Sequence, residues 1–234
     1  MKGILVAGCR PAIFMASCAA GLSLFGCAQV SYGPRAPGEV LAPAPSEGEP
    51  GCVTIERGVH GDVKDARIGA QSPDRNFGHL GTTFAGNTGR WERMVLLGFD
   101  LSVLPSGAVV EKATLHLSQA TVAGGPFAVH RATKPWEENR VTWRSFGAAF
   151  DPEPEAMLWG RPGDSGGLEA DVTGMVQRWV RDETGNHGLV LRPSSGGKAA
   201  SVATFFSSES AAEVDRPRLV VCLTHAPLTT VPRN

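Results

Sequence analysis

Three carboxylates invite a catalytic reading. Glu137 and Glu138, with Asp171, can be imagined as an acid/base pair for glycoside hydrolysis. Glycoside hydrolysis needs two carboxylates roughly 5–9 Å apart across a cleft. Nothing in the neighbouring sequence supplies an aromatic-walled groove for such a pair. The simpler expectation is that Glu137 or Glu138 holds the turn into Val141-Thr142-Trp143, while Asp171 caps a helix. Gly163-Asp164-Ser165-Gly166-Gly167 has the letters of a trypsin-like nucleophile turn. A serine nucleophile needs a histidine oriented by an acid, and no matching histidine segment lies upstream. The six histidines are scattered with no HxH or HxxxH pair, so zinc is not indicated. The residues do not read as an enzyme.

Two binding chemistries remain. Asp62, Asp65, Asn76 and Asp100 are oxygen ligands at expected loop or strand edges, a set that a structural calcium can use. Calcium asks for 6–8 oxygens, several of them backbone carbonyls, and the same side chains also satisfy turns. For sugar, the candidates are Trp91 flanked by Arg90 and Arg93, and Trp159 followed by Arg161. A stacking ring beside a guanidinium suits an acidic polysaccharide, because arginine meets carboxylate or sulfate with two parallel hydrogen bonds. Packing of arginine stems in loops accounts for the same letters. Trp136, Trp143 and Trp179 sit in patterned segments and are expected in the core.

The elements that must carry these residues are mostly strands. Twenty-nine glycines and 17 prolines point to many turns. Val109 to Ser118 alternates apolar and polar, and Phe127–Arg131 repeats the alternation. Runs at 94–100, 188–192, 202–206 and 218–223, with Cys52-Val-Thr-Ile near the start, complete the series. One segment breaks the period: Met175, Val176, Trp179 and Val180 fall at helical spacing, predicting a single short helix over 173–182. One domain over 52–224 is expected, with a loose tail at 225–234.

Residues 1–27 carry Lys2 and Arg10, an apolar run and small residues before Cys27, the layout of an export signal. Leu24-Phe25-Gly26-Cys27 has the form of a lipobox, which would lipidate Cys27 and tie the protein to a membrane. Simple cleavage near Ala28 is the other outcome. Arg10 and Pro11 interrupt any stretch of ~20 apolar residues that a membrane span requires. Residues 28–51, rich in Pro, Ala and Gly, read as a tether. Removing 1–27 takes away two bases and no acid, moving the net charge from −1 to −3. Nucleic acid would call for a clustered basic surface, which is not evident. Only Cys52 and Cys222 remain beyond the signal, and in an exported protein they read as a disulfide, with two buried thiols as the alternative.

The order of motifs resembles the DNRLRE domain family, also classed as carbohydrate-binding module family ninety-six and related to disaggregatase repeats. The matching residues are Asp65-Ala-Arg-Ile with Ser72-Pro-Asp-Arg-Asn-Phe-Gly78, then Arg93-Met-Val-Leu-Leu-Gly-Phe-Asp-Leu-Ser102 with Leu104-Pro105. Trp136-Glu-Glu-Asn-Arg-Val-Thr-Trp143, Asp171-Val-Thr173, Asn186-His-Gly188-Leu and Phe206-Ser-Ser-Glu209 follow in sequence. Ala66-Arg67 and Gly98 depart from the family pattern. The resemblance spans roughly residues 60–222. It implies an all-β jelly-roll sandwich that binds carbohydrate without catalysis. An envelope protein that contacts other proteins through its sheet faces, binding no glycan, is the competing expectation.

Overall fold

The computed structural model describes residues 51–88, 91–122, 125–160, 167–181, 185–194 and 202–224. Among the described residues, eleven strands and two short α-helices make up the fold. The strands are β1 (Cys52–Glu56), β2 (Val63–Gly69), β3 (Thr82–Thr88), β4 (Trp91–Phe99), β5 (Val110–Val122) and β6 (Gly125–Arg131). Then come β7 (Ala156–Gly160), β8 (Gly167–Asp171), β9 (Leu189–Pro193), β10 (Val202–Phe206) and β11 (Arg218–Leu223). The helices are α1 (Trp143–Phe146) and α2 (Thr173–Arg181).

All pairings are antiparallel. One sheet runs β1-β11-β5-β8, and the other β10-β3-β4-β9-β6-β7 with β2 also paired to β4. The long strand β5 belongs to both: residues 110–118 pair with β11 and β8, and its far end pairs with β10. Alternation along β5 points Ala113, Leu115 and Leu117 inward and leaves Lys112, Thr114 and His116 on the other face. The inward residues meet Val95, Leu97, Phe127, Val129 and Leu191 of the opposite sheet in one continuous apolar cluster. Each such side chain contributes on the order of 1.5–3 kcal/mol on burial. An all-β sandwich is therefore the architecture.

Helix α2 closes one end of that core with Met175, Val176, Trp179 and Val180. Asp171 caps it, accepting a 2.9 Å bond from the Thr173 amide. The helix is tied to β5 by Thr173 Oγ1, which accepts from the Ala113 amide, and by Gln177 Oε1, which accepts from that of Val110.

The single-helix expectation needs one correction. Thr142 and Ser145 form a reciprocal capping box that winds 143–146 into α1, where the sequence suggested only a turn. This turn and its flanks cover the outer face of the second sheet. Ala66, Ile68, Met94, Leu96 and Val190 pack there against Ala132, Trp136, Val141 and Phe146. Cys52 and Cys222 are bonded, directly opposite each other in the β1–β11 register.

Candidate functional site

Trp91 and Trp159 both lie in strands. Trp91 opens β4 and Trp159 sits in the edge strand β7. Their exposures are 37% and 66%, so both rings reach solvent. The registers β4–β9, β9–β6 and β6–β7 bring Trp159 level with Glu92, three strands away. Three strand spacings are roughly 14 Å. The two aromatic positions therefore share one end of one sheet. On the face that Trp159 shares with Glu92, opposite to that of Trp91, the Arg192 guanidinium bonds Glu92 at 2.8 Å and lies over the Phe150 ring. Arg90 and Arg161 lie outside the described residues, as does most of the Gly163–Gly167 segment.

Arg93 joins a group that the sequence did not single out. The Arg67 and Arg75 guanidinia lie 4.1 and 4.9 Å from the centroid of Phe77, and that of Arg93 lies 5.3 Å from Phe84. An isolated bridge pairs Arg67 with Phe77, which fixes the ring beneath the guanidinium. Burial, then the charges of Arg93 and Arg75, push the Arg67 pKa below its usual value. Arg93 also donates to Gln71 Oε1 at 2.8 Å. Among the described residues, no carboxylate lies within ion-pair distance of Arg67 or Arg75. The neighbouring Asp74 is engaged by Arg144 at 2.6 Å. Arg67 and Arg75 thus share one aromatic ring, with Arg93 on the neighbouring Phe84. The signal was present in the sequence, where Ala66-Arg67 departs from the pattern of the resembled family.

The acidic residues are distributed differently from the expected calcium set. Among the described residues, the group close enough to hold an ion is Asp65, Glu138 and Glu209, whose oxygens lie within 4.8 Å of one another. Asp65 is only 2% exposed. It accepts from the Ser208 amide at 2.6 Å, and its own amide donates to Glu138 Oε1 at 2.8 Å. Arg57 pairs with Glu209 and Glu138 and donates to Ser208 Oγ. Arg57 brings one positive charge to these three carboxylates and also lies 4.0 Å from Asp62. Asp65 is raised to about 7, by burial first, against the opposing Ser208 hydrogen bond. Glu138 is raised too, again chiefly by burial.

The rest of the calcium set lies elsewhere. Asn76 turns its amide nitrogen to the carbonyls of Glu138 and Val141, both at 2.8 Å, so it clamps the loop that presents Glu138. Gly78 is required there, because a Cβ would fall 2.0 Å from the Glu138 carbonyl oxygen. Asp62 and Asp100 line a separate groove with Asn186 and His187. The carboxylate of Asp100 is spent on the Ser102 amide and hydroxyl, at 2.9 and 3.0 Å. Glu137, another acid of the catalytic reading, pairs with Arg140 across an exposed turn.

No curated protein matches the chain. The profile of carbohydrate-binding module family 96 matches residues 61–222, from the turn before β2 to within β11. That span takes in the arginine group, both tryptophans and the carboxylate cluster, and the chain belongs to carbohydrate-binding module family 96.

Proposed function

We propose that this protein is a non-catalytic module that binds acidic polysaccharide at the end of the sheet bearing Trp91 and Trp159. The observation that carries the reading is the gathering of Arg67, Arg75 and Arg93 over Phe77 and Phe84. Desolvated guanidinia preorganised on rings lose little freedom on meeting a carboxylate or sulfate. Trp159 supplies a flat apolar face on which a pyranose ring stacks. Arg90 and Arg161, adjacent in sequence to Trp91 and Trp159, extend the basic character along the glycan.

Affinity gels containing alginate, heparin or a neutral glucan test this directly. Retention on the acidic gels alone is the expected result. Loss of that retention in Arg67→Ala, with an unchanged melting temperature, completes it. Retention on none of the gels, with an envelope protein co-purifying, would favour the protein-contact role instead.

The module is exported and held at the cell envelope through Cys27, with residues 28–51 as its spacer. Cys27→Ala should move the protein from the membrane fraction to the soluble one. A wild type already found wholly soluble would leave simple secretion.

A further inference from the structure

The chain enters the sandwich at Gly51 and passes at once into β1. In the first sheet β1 is the terminal strand, and its ladder partner is β11. Five register pairs join the two, from Cys52–Cys222 to Glu56–Arg218. The disulfide occupies the first of these pairs, the one nearest to the incoming chain. A bond between distant residues stabilises a fold by constraining the unfolded chain, wherever it is placed. Placed at the point of entry, it also governs how a pull on the preceding residues is carried.

Without the covalent link, a pull on Gly51 falls first on the Cys52 end of β1. A terminal strand has ladder bonds on one side, so it can leave its sheet pair by pair. Departure of β1 exposes Ile55, which is fully buried. It also draws away Arg57, the residue that follows β1 and pairs with Glu138 and Glu209. The carboxylate cluster would then lose its guanidinium.

With the link in place, the pull reaches Cys222 without loading the β1 ladder. Strand β11 is flanked on both sides, by β1 and by β5, and its Leu219 and Val221 are buried. Its pairing with β5 runs from Arg218–His116 to Leu223–Val110, and β5 continues into the other sheet through β10. Strands β1 and β11 can then leave only together, exposing Ile55, Leu219 and Val221 at one time. The Gly51 carbonyl, which accepts from the Leu223 amide, adds a bond between the same two segments.

We infer that the Cys52–Cys222 bond is a force-bearing clamp, which carries tension on the N-terminal tether past β1 into β11 and keeps β1 and Arg57 seated. The clamp rests on the reading of residues 28–51 as a tether to a surface.

Optical tweezers test it on the exported chain, held through its own N-terminus and through a click-reactive residue replacing the exposed Glu153. Wild-type molecules should unfold without an early step. Cys52→Ala/Cys222→Ala should show one, at half the wild-type unfolding force or less. That step should release at most about 40 Å, the extended length of residues 52–62 at roughly 3.3–3.6 Å each. Wild-type molecules treated with a phosphine reductant repeat the comparison with both cysteines present, which covers a double variant that folds poorly. A second geometry moves the N-terminal handle to the exposed Ser106, so that the load no longer passes through the clamp. There, loss of the disulfide should change the unfolding force by less than a fifth. Three results would overturn the clamp: an early step in oxidised wild type, no early step in reduced or variant molecules, or an equal loss of force in both geometries. The last is the behaviour of a bond that stabilises the fold without directing load. Fractionation of Cys27→Ala reads the tether alone, so a failed clamp and a failed tether remain distinguishable.

Discussion

Two clusters of like charge lie at different levels of the second sheet. Arg67, Arg75 and Arg93 gather where β2 pairs with the start of β4, and Asp65, Glu138 and Glu209 gather where β2 crosses Leu97. Two residues along β2 separate Arg67 from Asp65, about 7 Å, and four along β4 separate Arg93 from Leu97, about 13 Å. The anionic cluster is closed within the protein. Arg57 supplies its counter-charge, the Ser208 and Asp65 amides supply donors, and four chain segments converge on it. In the cationic cluster Arg67 and Arg75 face the Phe77 ring, and Arg93 faces Phe84 and donates to Gln71.

The widest separation of the two should come from removing the arginines together. Arg67→Ala/Arg75→Ala/Arg93→Ala is expected to weaken alginate binding by a hundredfold or more, at about 1.5–3 kcal/mol for each hydrogen bond to a charged group. Isothermal calorimetry measures it, and a change of less than threefold would erase the distinction. The mirror experiment is Arg57→Ala. It strands three carboxylates, so the unfolding free energy should drop by about 1–3 kcal/mol in a urea titration, with alginate affinity kept within twofold. Lost binding in Arg57→Ala would mean that the anionic cluster belongs to the glycan site.

A pH series sharpens the same contrast. Asp65 has a folded pKa of about 7 against an ordinary 3.8, so the folded state holds the proton more tightly than the unfolded chain. Stability linked to that proton is full below about pH 4 and is lost as the pH rises through 7. The raised Glu138 acts in the same direction. The melting temperature should therefore decline between pH 5 and pH 8, and Asp65→Asn should flatten that decline. A wild-type profile already flat across the window would show that Arg57 fully neutralises the cluster.

Salt gives the smallest expected effect. Raising ionic strength from 0.05 to 0.5 M should weaken alginate binding several-fold, because exposed charge pairs are screened within about 10 Å at 0.1 M. The melting temperature should move by only a degree or two, since the anionic cluster is largely desolvated. Salt-insensitive binding would shift the weight to stacking on Trp91 and Trp159.

Much of this protein is fixed by local pattern. Alternation in β5 and β6, the helical spacing of Met175, Val176, Trp179 and Val180, and the Asp171 cap are periodic or short-range signals that survive in one dimension. The Cys52–Cys222 pair follows from cysteine count and expected compartment, and their facing register agrees with it. The strands β3 and β7 were less legible. Thr82–Thr88 contains a glycine and an asparagine, and Ala156–Gly160 is short, so their strand character comes from ladder partners rather than from their own residues. Clustering was decided by tertiary structure alone. Asp65 and Glu209 are 144 residues apart, and Arg57 reaches Glu209 across 152. No sequence window joins such residues; hydrogen-bonded registers and buried loops bring them within a few ångströms. Asp62, Asp65, Asn76 and Asp100 looked alike as oxygen donors in sequence, and packing sent them to three different tasks.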